Sequence, residues 1–169
     1  MEIKLTESQF ANIVKRILKE QTEEVLELPS IKYFFDDWNE VIKFVKNEGN
    51  PLFSMQGNLD LRAVCPKTLG RLYSVEGYLD FDGCKNLTSL GNLTHVGGFL
   101  DLYNCKNLTS LGNLTHVGGS VNLRETKVTS LGNLTHVGGN LYLRDTPISK
   151  KYSEDEIRKM VNVEGVILL

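Results

Sequence analysis

A nine-residue segment, LGNLTHVGG, occurs three times in the second half of the chain and limits what this chain can fold into. The copies begin at Leu90, Leu111 and Leu131, so they are separated by 21 and then 20 residues. Identical residues at so regular a spacing are typical of a solenoid, in which each unit forms one coil. A single coil of this size can bury very little, so the fold has to come from stacking.

Weaker copies extend the array in both directions. Residues 55–61 and 69–81 keep the glycine and apolar positions of the unit, and residues 163–169 fit the same V-x-G-x-L-x-L template after an interruption. Each template ends in an alternating L-x-L, which predicts a strand with one buried face. The segment that follows, as in residues 87–93, is rich in Gly, Asn and Ser, which predicts a return turn. We therefore expect about six parallel strands in one sheet.

These units resemble leucine-rich repeats over residues 52–146. The units that start at Leu100 and Val121 read L-x-L-x-x-C-x-x-L and V-x-L-x-x-T-x-V, and the Cys form carries the extra residue that makes its unit 21 residues long. The resemblance implies an α/β repeat solenoid with a parallel sheet of about six strands, an N-terminal helical cap and a helix inserted before the last strand. The layout is also similar to short repeat proteins encoded by bacteriophages.

An open solenoid needs covers for its first and last coils, and the sequence offers helices at both ends. A capping box at Thr6 and Gln9 predicts a first helix, and apolar residues at helical spacing over residues 31–45 predict a second one. Ser153 and Glu156 form another capping box near the end of the array. The predicted organisation is a helical region and cap at 1–51, an array at 52–149, and a helix with a capping strand at 150–169.

Charge and hydropathy argue against two classes of partner. The formal net charge is -2, which provides no general attraction to nucleic acid or to anionic lipid. The start of the chain lacks the apolar core of a signal peptide, and no stretch is long and apolar enough to span a bilayer. We expect no nucleic-acid or membrane partner and a cytoplasmic location, meaning the host cytoplasm or the virion if the protein is phage-encoded.

Three cysteines and three histidines are the residues most able to suggest a metal site. Cys65, Cys84 and Cys105 form no C-x-x-C pair, so we expect reduced thiols rather than a disulfide framework or a zinc site. The histidines, at positions 95, 116 and 136, occupy identical positions in the repeat. Their rings should stack in parallel rather than converge on one ion, so we expect no metal and no cofactor. P-loop, G-x-S-x-G and H-E-x-x-H patterns are absent, and we expect no enzymatic activity.

The candidate site consists of the positions that vary while the repeat stays constant, between and beside the strand leucines. Exposed aromatic residues beside Arg and Asp are typical of protein interfaces. We therefore predict a non-enzymatic module that binds a protein partner, which is a host factor if the protein is phage-encoded. The predicted partner-binding residues are Tyr78, Asp80, Asp82, Phe99, Asp101, Tyr103, Asn122, Arg124, Tyr142 and Arg144.

Three alternatives remain open for these positions and for the chain as a whole. The rows could be an ordinary solvated sheet surface, since exposed apolar residues are common on any protein. The chain could be a virion structural or assembly protein docked by its N-terminal helices. The acidic row formed by Asp60, Asp80 and Asp101 could instead bind a small ligand or a cation.

Overall fold

The repeats form a solenoid with two parallel sheets, because each repeat contributes two short strands. The computed structural model describes Thr6 and residues 24–169. Within these residues, sheet A has seven strands and sheet B has six, and in both sheets the strands lie side by side in the order in which the coils follow one another. Each strand therefore pairs with the equivalent strand of the next coil.

The strands are short and follow the repeat closely. Sheet A consists of β1 (Leu26–Leu28), β2 (Phe53–Met55), β4 (Leu72–Val75), β6 (His95–Val96), β8 (His116–Val117), β10 (His136–Val137) and β12 (Asn162–Val163). Sheet B consists of β3 (Leu59–Asp60), β5 (Leu79–Asp80), β7 (Leu100–Asp101), β9 (Val121–Asn122), β11 (Leu141–Tyr142) and β13 (Ile167–Leu168). Sheet B contains the six predicted L-x-L strands, including the last copy, and confirms them.

The expectation of a single sheet in an α/β solenoid is wrong, because each unit forms a second strand between the predicted return turn and the L-x-L strand. The N-L-T segment pairs directly with the preceding coil: the Thr94 backbone N–H and its hydroxyl Oγ1 both donate to the carbonyl of Tyr73, at 2.9 and 3.1 Å. Thr115 and Thr135 repeat this contact one and two coils later. The described residues therefore form a parallel-strand β-solenoid with few helices.

The core is a set of columns in which the same apolar position of each coil lies above its neighbour. Leu79, Leu100, Val121 and Leu141 are in register in sheet B and are fully buried. Burial of a leucine side chain contributes about 2 kcal/mol. A coil therefore gains its stability from the coils on either side of it.

The expectation of three reduced thiols is also wrong. Cys65 and Cys84 are joined by a disulfide, while Cys105 is buried and free. The two bonded cysteines follow successive strands of sheet B, 19 residues apart, so the stacking places them side by side. Burial raises the pKa of the Cys105 thiol to about 12, and its Sγ donates to the carbonyl of Phe81.

The predicted second helix of the N-terminal cap is broken in two. A 3-10 helix spans Ile31–Phe34 and the α-helix α1 spans Trp38–Asn47. Between them, Phe35 and Asp36 adopt left-handed backbone conformations that end the first helix. Trp38 is buried with its ring 6.1 Å from that of Phe53, so α1 packs on the first coil. The helix predicted after Thr6 lies outside the described residues.

The C-terminal end carries two short helices, α2 (Pro147–Lys151) and α3 (Glu154–Met160), before the last coil. The predicted capping box at Ser153 and Glu156 is present. The backbone N–H and the hydroxyl of Ser153 donate to the carboxylate of Glu156 and lower its pKa. No helix in the described part of the chain is long and apolar enough to cross a membrane.

Arg158 of α3 completes the hydrogen bonding of the last coil. In the array, two backbone N–H groups of each coil donate to two carbonyls of the coil before it, as Gly118 and Gly119 donate to Val96 and Gly98. At the last coil, the guanidinium of Arg158 donates to the carbonyls of Val163 and Gly165 at 2.9 and 3.0 Å. One side chain thus takes the place of the next coil on this side of the solenoid.

Candidate functional site

The outer face of sheet B brings the predicted variable positions together in rows. The first row contains Asn58, Tyr78, Phe99, Ser120, Asn140 and Val166, and the second contains Asp60, Asp80, Asp101, Asn122, Tyr142 and Leu168. A third row follows directly after the strands and contains Arg62, Asp82, Tyr103, Arg124 and Arg144. All ten predicted partner-binding residues lie on this face.

A cationic and aromatic cluster lies toward the C-terminal end of the face. The guanidinium of Arg124 lies between two tyrosine rings, 5.2 Å from the centre of Tyr103 and 5.5 Å from that of Tyr142. Its Nε donates to the Asn122 side-chain oxygen at 3.0 Å. Stacking of this kind holds a guanidinium in place while its terminal N–H groups stay available to an acceptor.

Arg144 lies one coil beyond Arg124, two residues after Tyr142. Among the described residues, neither Arg124 nor Arg144 has a carboxylate within 4.0 Å. Both arginines line a hollow of about 220 Å³ together with Tyr142, Leu168 and Leu169. The hollow therefore combines two unneutralised guanidinium groups with an aromatic ring and apolar side chains.

Glu125 was not among the sequence-predicted site residues, although it supports the cluster. The hydroxyl of Tyr103 donates to Glu125 Oε1 at 2.9 Å, which raises the pKa of Tyr103. The other carboxylate oxygen of Glu125 lies 3.7 Å from the ammonium of Lys106. Glu125 has a left-handed backbone, as do Asn104 and Asp145 at the equivalent positions. The recurrence of Asn, Glu and Asp after the third row was the only signal that could have identified this position.

A second aromatic feature lies in the first row. The rings of Tyr78 and Phe99 stack with their centres 4.8 Å apart and their planes 12° from parallel. Phe99 remains 41% exposed. The stack presents a flat apolar surface beside the acidic part of the face.

The acidic row has a structural role in the array. Asp60, Asp80 and Asp101 each accept the backbone N–H two residues further on, at 3.1, 2.9 and 2.8 Å, and so form the turn that ends each strand. The side chain of Arg62 bonds Asp60 and lies 3.4 Å from Asp80. The hydrogen bond from Arg62 lowers the pKa of Asp60, whereas burial raises that of Asp80.

The three histidines form the predicted ladder on the outer side of sheet A. Ring centres are 5.7 Å apart for His95 and His116 and 4.4 Å apart for His116 and His136. Burial and the two neighbouring rings lower the pKa of His116. Within the part of the chain that the structure describes, no group of three or more His, Cys, Asp or Glu side chains is placed to hold a metal ion.

Comparison of the chain with models of protein families, with curated proteins and with solved structures finds no match.

Proposed function

We propose that the protein is a non-enzymatic interaction module that binds a protein partner through the outer face of sheet B. The observation that carries the proposal is the pair of unneutralised arginines, Arg124 and Arg144, beside the half-buried rings of Tyr103 and Tyr142. Guanidinium groups held in place by stacking form strong paired hydrogen bonds with carboxylates. The partner is accordingly a protein that presents acidic side chains next to apolar ones.

The regularity of the scaffold supports this assignment. Because the leucine columns and the repeated glycines position the strands, the outward residues can differ from coil to coil without a change of fold. Such a rigid sheet loses little conformational entropy when it binds. Because of the resemblance of the repeats, we also propose that the protein is a member of the leucine-rich-repeat family. We propose further that it is a phage protein that acts on a host factor, in the host cytoplasm or in the virion.

Charge reversal tests the proposal. The double variant Arg124→Glu, Arg144→Glu and a control, Lys67→Glu, Lys127→Glu, change the net charge equally, but the control lysines lie off this face. Each protein is immobilised and used to capture proteins from cell lysate, with the bound proteins quantified by mass spectrometry. We expect the arginine variant to lose partners that the wild type and the control retain, by at least about tenfold.

Identical sets of captured proteins for the wild type and the arginine variant would contradict the proposal. Circular dichroism spectra of both variants establish beforehand that each has kept the fold.

A further inference from the structure

Sheet B has an open position at its N-terminal edge. Sheet A begins with β1, but the chain then turns into the 3-10 helix, so β3 is the first strand of sheet B. A groove of about 960 Å³ lies beside β3. Its walls include Ser30, Lys32 and Asp36 on one side and Asn58, Asp60 and Arg62 on the other.

Backbone groups of β3 face this groove without a partner among the described residues. Leu59 and Leu61 donate toward β5, to the carbonyls of Tyr78 and Asp80. Because the direction of backbone groups alternates along a strand, the carbonyl of Asn58 and both the N–H and the carbonyl of Asp60 point to the other side. No hydrogen bond of these three groups is present among the described residues. Unpaired backbone groups at a sheet edge can form hydrogen bonds with another extended segment.

We propose that the groove binds an extended segment of another protein, which adds to β3 as a seventh strand of sheet B. Two N–H groups of the segment donate to the carbonyls of Asn58 and Asp60, as each coil of the array does with the next. Opposite charges on directly facing residues stabilise strand pairs. The segment that fits therefore has a basic residue facing Asp60 and an acidic residue facing Arg62, with apolar residues between.

End-to-end stacking of a second copy, with its β13 parallel to β3, does not fit in the groove. Among the described residues, β13 is the opposite edge strand of sheet B, and it belongs to the same coil as β12. In the first coil, the corresponding position of sheet A is already occupied by β1. A single strand without a coil behind it enters the groove without this collision.

The groove is separate from the proposed site at Arg124 and Arg144, because it lies at the opposite edge of sheet B. The probe is a synthetic peptide, GGNLKLEN, labelled with fluorescein and blocked at both ends. Its lysine and glutamate occupy the positions that face Asp60 and Arg62. The control peptide, GGNPKPEN, replaces both leucines by proline and so lacks the two N–H groups that would donate to β3.

Matched variants of the full chain locate the binding. Ala63 lines the groove, whereas its neighbour Val64 is 38% exposed and does not line it. We expect Ala63→Trp to weaken binding of GGNLKLEN in fluorescence anisotropy by at least about tenfold, while Val64→Trp and the arginine variants bind as the wild type does. We also expect the proline peptide not to bind.

Equal binding of the two peptides, or equal binding by Ala63→Trp and Val64→Trp, would overturn the inference. The inference would also be overturned if GGNLKLEN did not bind the wild type at a protein concentration of about 1 mM, at which even a very weak complex forms. Sedimentation that shows a dimer lost in Ala63→Trp would assign the groove to a second copy instead.

Discussion

At the scale of single residues, the second half of each repeat depends on glycines that allow the coils to approach one another. A Cβ atom at Gly97, Gly118 or Gly138 would fall far inside van der Waals contact of a backbone carbonyl oxygen in the preceding coil. The obstacle is backbone held by hydrogen bonds on both sides, so it cannot move aside as a flexible side chain would. These glycines therefore maintain the spacing between coils.

Substitution of one of these glycines should separate two coils. We expect Gly118→Ala to lower the free energy of unfolding by about 3 kcal/mol, as overpacking against a rigid neighbour does. Urea denaturation followed by circular dichroism measures this change. Gly112→Ala is the matched control, because its added Cβ atom lies 3.7 Å from the nearest atom and meets no obstacle. Its left-handed backbone is unfavourable for alanine and should lower the free energy of unfolding by about 1 kcal/mol. Equal losses for the two variants would contradict the role of Gly118.

At the scale of strands, β6, β8 and β10 align three imidazole rings at the spacing of the sheet. The arrangement suits neutral rings, which stack, and is unfavourable for charged ones, which repel each other. Glu164 is the only carboxylate close to the ladder among the described residues, 3.8 Å from His136. His116, in the middle, has a histidine on each side.

The lowered pKa of His116 predicts acid sensitivity. Because the folded pKa lies below that of the unfolded chain, the unfolded chain binds a proton more readily, and stability falls as the pH drops through about 6.5. We expect the wild-type Tm to decrease between pH 7.5 and 5.5, above the range in which ordinary carboxylates titrate. His116→Asn should show a smaller decrease, measured by thermal melts of both proteins. The same decrease in both would show that the ladder does not cause the sensitivity.

At the scale of the whole molecule, interactions run mainly between adjacent coils, so the molecule behaves as a stack. Sheet pairing joins each strand only to equivalent strands of neighbouring coils. The stack has different covers at its two ends: α1 packs on the first coil, and Arg158 bonds the carbonyls of the last one. The middle of the array can therefore change in length without a change at either end.

Removal of one whole period should preserve the fold. Deletion of residues 111–130 joins Ser110 to Leu131 and restores the local sequence TSLGNLTHVGG. We expect a cooperative but less stable protein with the same circular dichroism signal per residue as the wild type. Deletion of residues 111–120, half a period, should prevent cooperative unfolding because every later side chain loses its register. Similar behaviour of the two deletions would contradict a modular stack.

The sequence by itself was sufficient to predict a stack of coils, the strands of sheet B and the residues on its outer face. The reason is that identical environments require identical residues, so the repeat period and the L-x-L alternation report the coil and its buried side directly. The capping box at Ser153 was equally local, because it joins residues three positions apart.

Only the tertiary structure decided the features that depend on neighbouring coils. The strands of sheet A contain no long apolar alternation and form because the next coil supplies their hydrogen bonds. The disulfide between Cys65 and Cys84, the position of Arg124 between two tyrosines and the open edge of β3 likewise arise from stacking. The disulfide and the arginine cluster join residues about one repeat apart, and the open edge exists because no coil precedes β3 in sheet B. A short stretch of sequence shows neither relation.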